Sequence, residues 1–296
     1  MGVSVKNNKD VFTLMNKIIG LSKLIRFELP LSAGICVLMG QMFALTKFAP
    51  LGKAISGFLS VFFISASILA MNDYFDVESD KINAPKRPIP SGQVAPLEAL
   101  VFSLFLLFAG LGLSWLLGPT VLLISSCLAI IGFLYNRYLK KTGLPGNLLV
   151  SISVGTTFVY GGASVGLPFH KTVILFGLIA ALIDLGEEIA ADAMDMKGDK
   201  LIHSNSLAIK YGRAIALRVS TVIFGLVILL TWIPFLMRWF SLFYLIPILV
   251  IDISIITSSV KLLSSANDEG RKYIRRLYIG ATLGLLLFLL MRLAGI

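Results

Sequence analysis

Stretches of about 20 apolar residues recur along the whole 296-residue chain, and they constrain its fold more than any motif does. A water-soluble domain cannot hide so many such runs, whereas a bilayer accommodates them. Hydrocarbon offers nothing to hydrogen-bond an open backbone, so each run is read as a helix that pairs its own N–H and C=O groups. Nine spans result, at 26–46, 52–75, 96–117, 119–139, 146–166, 170–190, 213–236, 240–262 and 273–294. The expected fold class is all-α: a polytopic membrane protein with about nine transmembrane helices. Composition agrees, with 57% hydrophobic and only 14% charged residues. Residues 1–296 read as a single transmembrane domain, of which 1–25 form a basic N-terminal segment with no small-residue cleavage site after it. Cys36 and Cys127 fall inside apolar runs and imply neither a disulfide framework nor a thiolate metal site.

The formal charge of +10 raises the question of nucleic acid, but its distribution answers differently. Laid on nine alternating spans, 21 of the 26 Lys and Arg residues fall on one side. The other side keeps Lys47, Lys53, Lys171, Arg238 and Arg292. Lys and Arg mark the cytoplasmic loops of membrane proteins, so the rich side is expected to be cytoplasmic and the C-terminus outside. The partner implied is the lipid bilayer of the cell membrane; neither a nucleic acid nor an obligate protein partner is indicated.

On that same side the chain carries two related acidic segments. Residues 72–81 read NDYFDVESDK and residues 191–200 read ADAMDMKGDK. Without a gap they share Asp73/Asp192, Asp76/Asp195, Asp80/Asp199 and Lys81/Lys200, and these six aspartates come from a chain with only 16 Asp and Glu. Helical spacing puts Asn72, Asp76 and Asp80 on one face, and Asp192, Asp195 and Asp199 on another, with Asp184 and Glu188 extending the second stripe. Two such faces predict half-sites that close on shared cations. Oxygen donors without His or Cys favour a hard cation, Mg²⁺ first and then Mn²⁺ or Ca²⁺. Mg²⁺ commonly combines a few carboxylates with waters and phosphate oxygens, so acidic faces flanked by Lys and Arg suit a diphosphate. The competing reading is that each segment is only the solvated end of a helix. After the first segment, 81–92 (KINAPKRPIPSG) holds three prolines that forbid a long helix. Its Lys86 and Arg87 are candidate phosphate ligands, Arg as a bidentate fork, or anchors to the membrane surface.

The sequence N-D-Y-F-D-V-E-S-D followed by K-I-N-A-P-K-R-P-I-P-S-G resembles the first signature of the UbiA superfamily of intramembrane prenyltransferases. The D-x-x-D-x-x-x-D frame at 192–199 and S-L-A-I-K-Y-G at 206–212 resemble the second. The form of the proline loop is most similar to the branch holding archaeal digeranylgeranylglyceryl phosphate synthases and chlorophyll synthases. The resemblance implies helices around a central cavity that opens sideways to lipid, and two Asp-rich motifs holding Mg²⁺ and an allylic diphosphate. Carried onto this chain, it makes Asn72, Asp76, Asp80, Asp192, Asp195 and Asp199 metal ligands. It makes Arg26, Asn72, Lys81, Arg87, Lys140 and Lys200 substrate-binding residues, and Asp76, Asp199, Tyr135 and Lys140 catalytic ones. Read without the family, Arg26 and Lys140 are cations at span ends that snorkel to headgroups. Glu187 stands where many relatives carry Arg, and Ala191 where many carry Asn, which leaves acceptor specificity open.

The activity implied is Mg²⁺-dependent transfer of a prenyl group, geranylgeranyl by motif, from its diphosphate to a lipophilic acceptor. Geranylgeranylglyceryl phosphate is the expected acceptor; the alternatives are an aromatic ring of quinone or haem synthesis and a chlorophyll-type acid. Metal ions and Lys/Arg would neutralise the departing diphosphate, an apolar cavity would keep water from the allylic cation, and Phe75, Tyr135, Phe158 and Tyr160 are candidate cation–π partners or ordinary packing residues. His203 reads as a surface residue. An ion-coupled transporter is the rival class. Transporters place such acids at the bilayer midplane in broken helices, whereas these sit at span ends on one side.

Overall fold

Each expected span is occupied by a helix in the computed structural model, which describes residues 15–201, 203–265 and 269–295. The long helices are α1 (Glu28–Leu45), α2 (Leu51–Phe75), α3 (Pro96–Leu117), α4 (Pro119–Leu134), α5 (Leu144–Ser164), α6 (Lys171–Leu201), α7 (Arg213–Thr231), α8 (Leu245–Ser264) and α9 (Gly270–Leu293). No strand occurs among the described residues. By length and composition seven segments are able to cross a membrane, built on α1, α2, α3, α4, α7, α8 and α9. The two others fall short of that measure for visible reasons. Helix α5 is rich in Gly, Ser and Thr, and α6 carries Asp184, Glu187 and Glu188 within its run. The chain is an integral membrane protein, and the count of nine crossings remains an expectation from the sequence.

The helices close into a ring. Helix α1 packs on α2 and α5, α5 on α6, α6 on α7, α7 on α8 and α8 on α9, while α9 returns to α1 and α6; α3 packs on α2, and α4 packs on α3, α5 and α2. Small residues permit a close crossing of α1 on α5: a Cβ on Gly40 would lie 2.3 Å from the Phe158 carbonyl oxygen, and one on Gly161 2.3 Å from that of Val37. Apolar helices in lipid associate by such close packing, since burial from water no longer drives them together.

Three local features build the acidic end. Helix α2 stops at Phe75, Asp76 caps it, and the short helix Val77–Asn83 continues beyond. The i→i−4 ladder survives the break, with Asp76 N donating to Asn72 O at 2.9 Å and Asp80 N to Asp76 O at 2.8 Å, so the segment bends without unwinding. Helix α6 runs unbroken through the second acidic segment; its 31 residues measure about 46 Å, longer than the ~30 Å hydrocarbon core. Its last turns, with Asp192 and Asp199, therefore stand clear of the apolar run. Finally, α4 passes into a π-helical turn, Tyr135–Leu139, and a 3₁₀ turn, Lys140–Thr142. Gly143 (φ +72°) ends it, where a Cβ would meet the Asn205 carbonyl oxygen at 2.3 Å. Asn205 N donates to Lys141 O at 2.9 Å, which docks this turn against the loop after α6.

The basic N-terminal segment, expected over 1–25, falls partly outside the described residues. Residues 15–25 are helical and lie on the proline loop, where Leu24 is buried against Ile89 and Val94, and Lys17 Nζ donates to Glu98 Oε1 at 2.5 Å. The loop itself is a chain of tight turns: Arg87 N bonds Ala84 O and Ser91 N bonds Arg87 O.

Candidate active site

The turn after α4 brings the two acidic segments together. Lys140 Nζ donates to Asp76 Oδ2 of the first segment, and the same ammonium acts electrostatically on Asp199 and Glu188 of α6. Beside it, the Tyr135 phenol lies within electrostatic reach of Asp76, Asp184, Glu188 and Asp192. The π turn has a job here: the extra residue rotates Tyr135 and Asn136 inward, and such turns recur at functional sites. Asn136 is buried; its Nδ2 donates to the Ile68 carbonyl at 2.9 Å, and its Oδ1 accepts from Asn72 Nδ2 at 3.0 Å.

The shared faces expected from helical spacing are divided by the bend at Asp76. Asn72 and Asp76 point to the 135–140 turn, whereas Asp80 Oδ2 accepts from Arg87 Nη1 at 2.6 Å. Asp73, 2% exposed, sits behind them and accepts from Arg26 Nη2, with Arg87 Nη1 3.5 Å away. Arg26 itself has a left-handed backbone (φ 47°) at the junction between the 15–25 helix and α1. On α6 the three aspartates part as well. Asp192 accepts from Asn147 Nδ2 of α5 at 2.9 Å, Asp199 lies 3.5 Å from Ser206 Oγ, and Asp195 is half-exposed and paired with Arg271 at the start of α9. The structure therefore gathers Asn72, Asp76, Tyr135, Lys140, Asp192 and Asp199, with Arg26, Asp80 and Arg87 adjoining. Lys81 is exposed and pairs with Glu78 Oε1 at 2.7 Å, one turn back on its own short helix, and Lys200 is exposed; neither is drawn into this group.

Electrostatics follow from packing. Burial pushes the Asp192 carboxyl up to about 6, against the hydrogen bond from Asn147 that holds it down. Burial also raises Asp199, with Ser206 and Lys140 opposing. Deeper along α6, Ser151 Oγ donates to Asp184 Oδ2 at 2.8 Å, and Glu187 Oε1 is buried with no hydrogen-bond partner among the described residues. Asp73, Asn136 and Asn147 join the site although the expected ligand set does not include them. Asp73 was legible as a member of the repeated frame, but nothing in the spacing marks Asn136 or Asn147.

The donor set fits a hard cation: Asp76, Asp192 and Asp199 with Asn72 offer oxygen only. Among the described residues no three His, Cys, Asp or Glu side chains converge as a closed cage would require. Mg²⁺ needs only one or two carboxylates when waters and substrate phosphates complete its shell, so the looser arrangement suits it.

The UbiA prenyltransferase family model matches residues 33–280. The chain belongs to this family. It is thus a prenyltransferase, and the transporter reading lapses. Digeranylgeranylglyceryl phosphate synthase of Methanopyrus kandleri is 39% identical over 220 residues, covering 74% of this chain and 80% of the relative. A structure described as giving insight into digeranylgeranylglyceryl phosphate synthase in membranes is 31% identical, with TM-score 0.69 over 91% of this chain and 98% of its own. A UbiA homologue from Archaeoglobus fulgidus bound to GPP and Mg²⁺ is 19% identical and shares the fold, with TM-score 0.67 over 90% and 97% of the two chains.

Proposed function

We propose that this UbiA-family protein transfers a geranylgeranyl group from its diphosphate to geranylgeranylglyceryl phosphate, with Mg²⁺ as cofactor, in ether-lipid synthesis. The observation that carries the reading is Lys140, whose ammonium binds Asp76 of one acidic segment and acts electrostatically on Asp199 of the other, at the polar end of an apolar bundle. The relatives named for this activity, the proline-loop pattern and a surplus of basic residues beyond those one diphosphate needs support the acceptor.

Asp76, Asp192 and Asp199 would hold Mg²⁺, with Asn72, Asp80 and Asp195 as further oxygen donors near them. When bound, the ion supplies positive charge that stabilises the departing diphosphate. Arg26, Arg87 and Lys140 are poised to take its oxygens, because each already binds a carboxylate at the site's edge. Tyr135 presents a hydroxyl and a ring between the acidic segments. The apolar bundle beneath excludes water from the allylic carbon; the acceptor hydroxyl oxygen bonds to that carbon as its bond to the diphosphate oxygen breaks, and the hydroxyl proton leaves to the departing diphosphate. Residues 1–296 act as one domain. The N-terminus and both acidic segments face the cytoplasm and the C-terminus faces outside, as the 21-to-5 division of Lys and Arg supports.

Purified protein incubated with Mg²⁺, labelled geranylgeranyl diphosphate and a panel of acceptors tests the activity. Prenylation of 4-hydroxybenzoate or a naphthoate, but not of geranylgeranylglyceryl phosphate, would refute the acceptor. For orientation, labelling of Ser91→Cys from the outer face of intact cells would refute the topology.

A further inference from the structure

Helix α9 carries a polar stripe where its span would otherwise be apolar. Arg271, Arg275, Tyr278 and Thr282 lie at i, i+4, i+7 and i+11 and share one face. That face meets α6 and the start of α1. At the end nearest the acidic segments, Arg271 pairs with Asp195 of α6. Seven residues deeper, the Tyr278 hydroxyl donates to the Glu28 carbonyl oxygen at 2.7 Å, lies 2.6 Å from Ser32 Oγ and comes within electrostatic reach of Glu187. The two rungs agree in depth. From Asp195 back to Glu187, α6 advances about 12 Å, and from Arg271 on to Tyr278, α9 advances about 10.5 Å. A polar cleft therefore runs down between α6 and α9. Its mouth is open, since Arg271 and Arg275 are both exposed, and Glu187 and Tyr278 below are half-buried.

Glu187 is the group in this cleft that lacks a partner. One residue turns a helix by about 100°, which takes Glu187 off the stripe of Glu188 and Asp192 and toward α9. Its Oε1 atom is buried with no hydrogen-bond partner among the described residues. Asp184 and Glu188, within electrostatic reach, are carboxyls themselves, and the Tyr278 proton goes to Glu28. A buried acceptor left unpaired is costly, so this atom is set to receive a donor from outside the chain. The signs along the cleft fix how a ligand lies in it. Arginines at the mouth attract an anionic group, and Asp184, Glu187 and Glu188 below repel one. The anionic part of a ligand therefore stays at the mouth, and a hydrogen-bond donor goes below. In a glycerophosphate the phosphorus and the neighbouring hydroxyl oxygen are about 5 Å apart, and the three residues from Arg275 to Tyr278 advance about 4.5 Å.

We propose that the cleft between α6 and α9 is the acceptor site: Arg271 and Arg275 hold the phosphate of a glycerophosphate lipid, and Glu187 holds its free hydroxyl. The proposal rests on the prenyl-transfer reading above and adds to it the residues that select and orient the acceptor. Arg271 turns from Asp195 to the phosphate, and Arg275 adds a second fork. The Glu187 carboxyl turns into the cleft and accepts from the hydroxyl. As the hydroxyl oxygen bonds to the allylic carbon, its proton passes to Glu187 and on to the departing diphosphate, which leaves with the electron pair of the broken C–O bond. The hydrocarbon chain of the acceptor needs no internal shaft, because Ile279 and Leu283 beside the stripe are exposed.

The test uses the full-length protein in detergent with Mg²⁺ and geranylgeranyl diphosphate. Initial rates are measured over a range of either geranylgeranylglyceryl phosphate or geranylgeranylglycerol, which lacks the phosphate. For the wild type, the phosphate-bearing acceptor should have a KM at least about tenfold lower. The double variant Arg271→Gln, Arg275→Gln should raise that KM about tenfold, leave the donor KM within about twofold and leave geranylgeranylglycerol unaffected. Arg275→Gln alone breaks no ion pair among the described residues; it should raise the acceptor KM about threefold and serves if the double variant does not fold. Glu187→Gln keeps the shape but cannot take the proton. Its kcat should fall about tenfold or more, with both KM values within about threefold and no loss of melting temperature. An unchanged acceptor KM in the folded arginine variants, or an equal rise for both acceptors, would overturn the phosphate site. Undiminished turnover by Glu187→Gln would overturn its assignment. Binding of geranylgeranylglyceryl phosphate in the absence of donor separates the two readings. Arginine-dependent binding without transfer would leave the site standing and refute the proposed reaction. Absence of binding would overturn the site even where another acceptor is prenylated.

Discussion

Replacing Asp73 by Asn tests how the site is held together. Asp73 is 2% exposed and its carboxylate faces two guanidiniums, Arg26 directly and Arg87 at 3.5 Å. Asparagine keeps the shape and can still accept one hydrogen bond, but it removes the charge. Breaking a fully buried ion pair costs about 3–5 kcal/mol, and an exposed one costs about 0–1 kcal/mol. Here the carboxylate is buried while Arg26 and Arg87 retain 29% and 34% of their side-chain exposure, so about 2 kcal/mol of stability is at stake. Arg87 keeps Asp80 at 2.6 Å and should stay in place. Arg26 loses its only charged partner among the described residues.

The functional consequence is specific. A loosened Arg26 must be ordered again on each binding of diphosphate, at about 1–1.5 kcal/mol for a long side chain, equivalent to roughly a tenfold rise in KM for the donor. The Mg²⁺ concentration needed for half-maximal rate should not change, because Asp73 faces arginines and stands behind the metal-facing carboxylates. Initial rates over a matrix of donor and Mg²⁺ concentrations, with thermal melting in detergent, give both quantities. An unchanged donor KM in the Asp73→Asn protein would refute the positioning role. A raised Mg²⁺ requirement at unchanged donor KM would place Asp73 among the metal ligands instead.

Asp76→Asn and Asp199→Asn should each lower the rate about a hundredfold or more, and the double variant should be little worse than the worse single, since members of one unit are not additive; near-wild-type turnover in either folded single removes that residue from the site. Lys140→Met should lower kcat/KM about a hundredfold without a large change in melting temperature, because Lys140 is 37% exposed; an unfolded variant would mark it as structural instead. Turnover undiminished in excess EDTA would refute the metal requirement. The Asp192 carboxyl, raised to about 6, binds a proton more readily folded than unfolded, and Asp199 is raised in the same direction, so the metal-free protein should gain stability as pH falls through about 6 toward 4, and Mg²⁺ with diphosphate at pH 7.5 should supply the same relief. A metal-free melting temperature that falls over that pH range would contradict the burial of these groups.

Much of this was legible because lipid removes alternatives. Apolar runs such as Val101–Leu117 or Thr221–Leu230 have no soluble use in such number, and the apolar runs place most helices to within about five residues of where they lie, while α6 continues eleven residues past its expected span. The second acidic segment was readable as helix because nothing between Lys171 and Leu201 breaks one. Other features depend on contacts that spacing does not encode. The bend at Asp76 sends Asp80 to Arg87, and no proline or glycine within 72–81 announces it. Asn136 and Asn147 look in sequence like polar residues near span ends, yet their amides fix Asn72 and Asp192. Lys81 and Lys200 occupy matched places in the repeat, and both face outward because the frame sets spacing along the chain and leaves azimuth to the packing of each helix.

The ion pairs give the acidic end a chemical logic. Asp73 and Asp80 are joined to Arg26 and Arg87, Asp76 to Lys140 and Asp195 to Arg271, so four of the six repeated aspartates hold a cation supplied by the chain. Asp192 and Asp199 instead have, among the described residues, only the neutral donors Asn147 and Ser206 at hydrogen-bond distance, with Lys140 acting on Asp199 from farther off. Burial raises both carboxyls, and the neutral donors beside them only partly oppose it. A metal–diphosphate complex brings both signs at once. Its cation meets the two under-compensated carboxylates, and its phosphates meet Lys140, Arg87 and Arg26, which can turn from carboxylate to phosphate within the same short reach. Binding is then an exchange of ion pairs with little charge left bare at any stage, which keeps the desolvation cost low at a membrane surface where unpaired charge is expensive. A free cation or a free diphosphate supplies only half of that exchange, so the site is built to favour the pair over either alone.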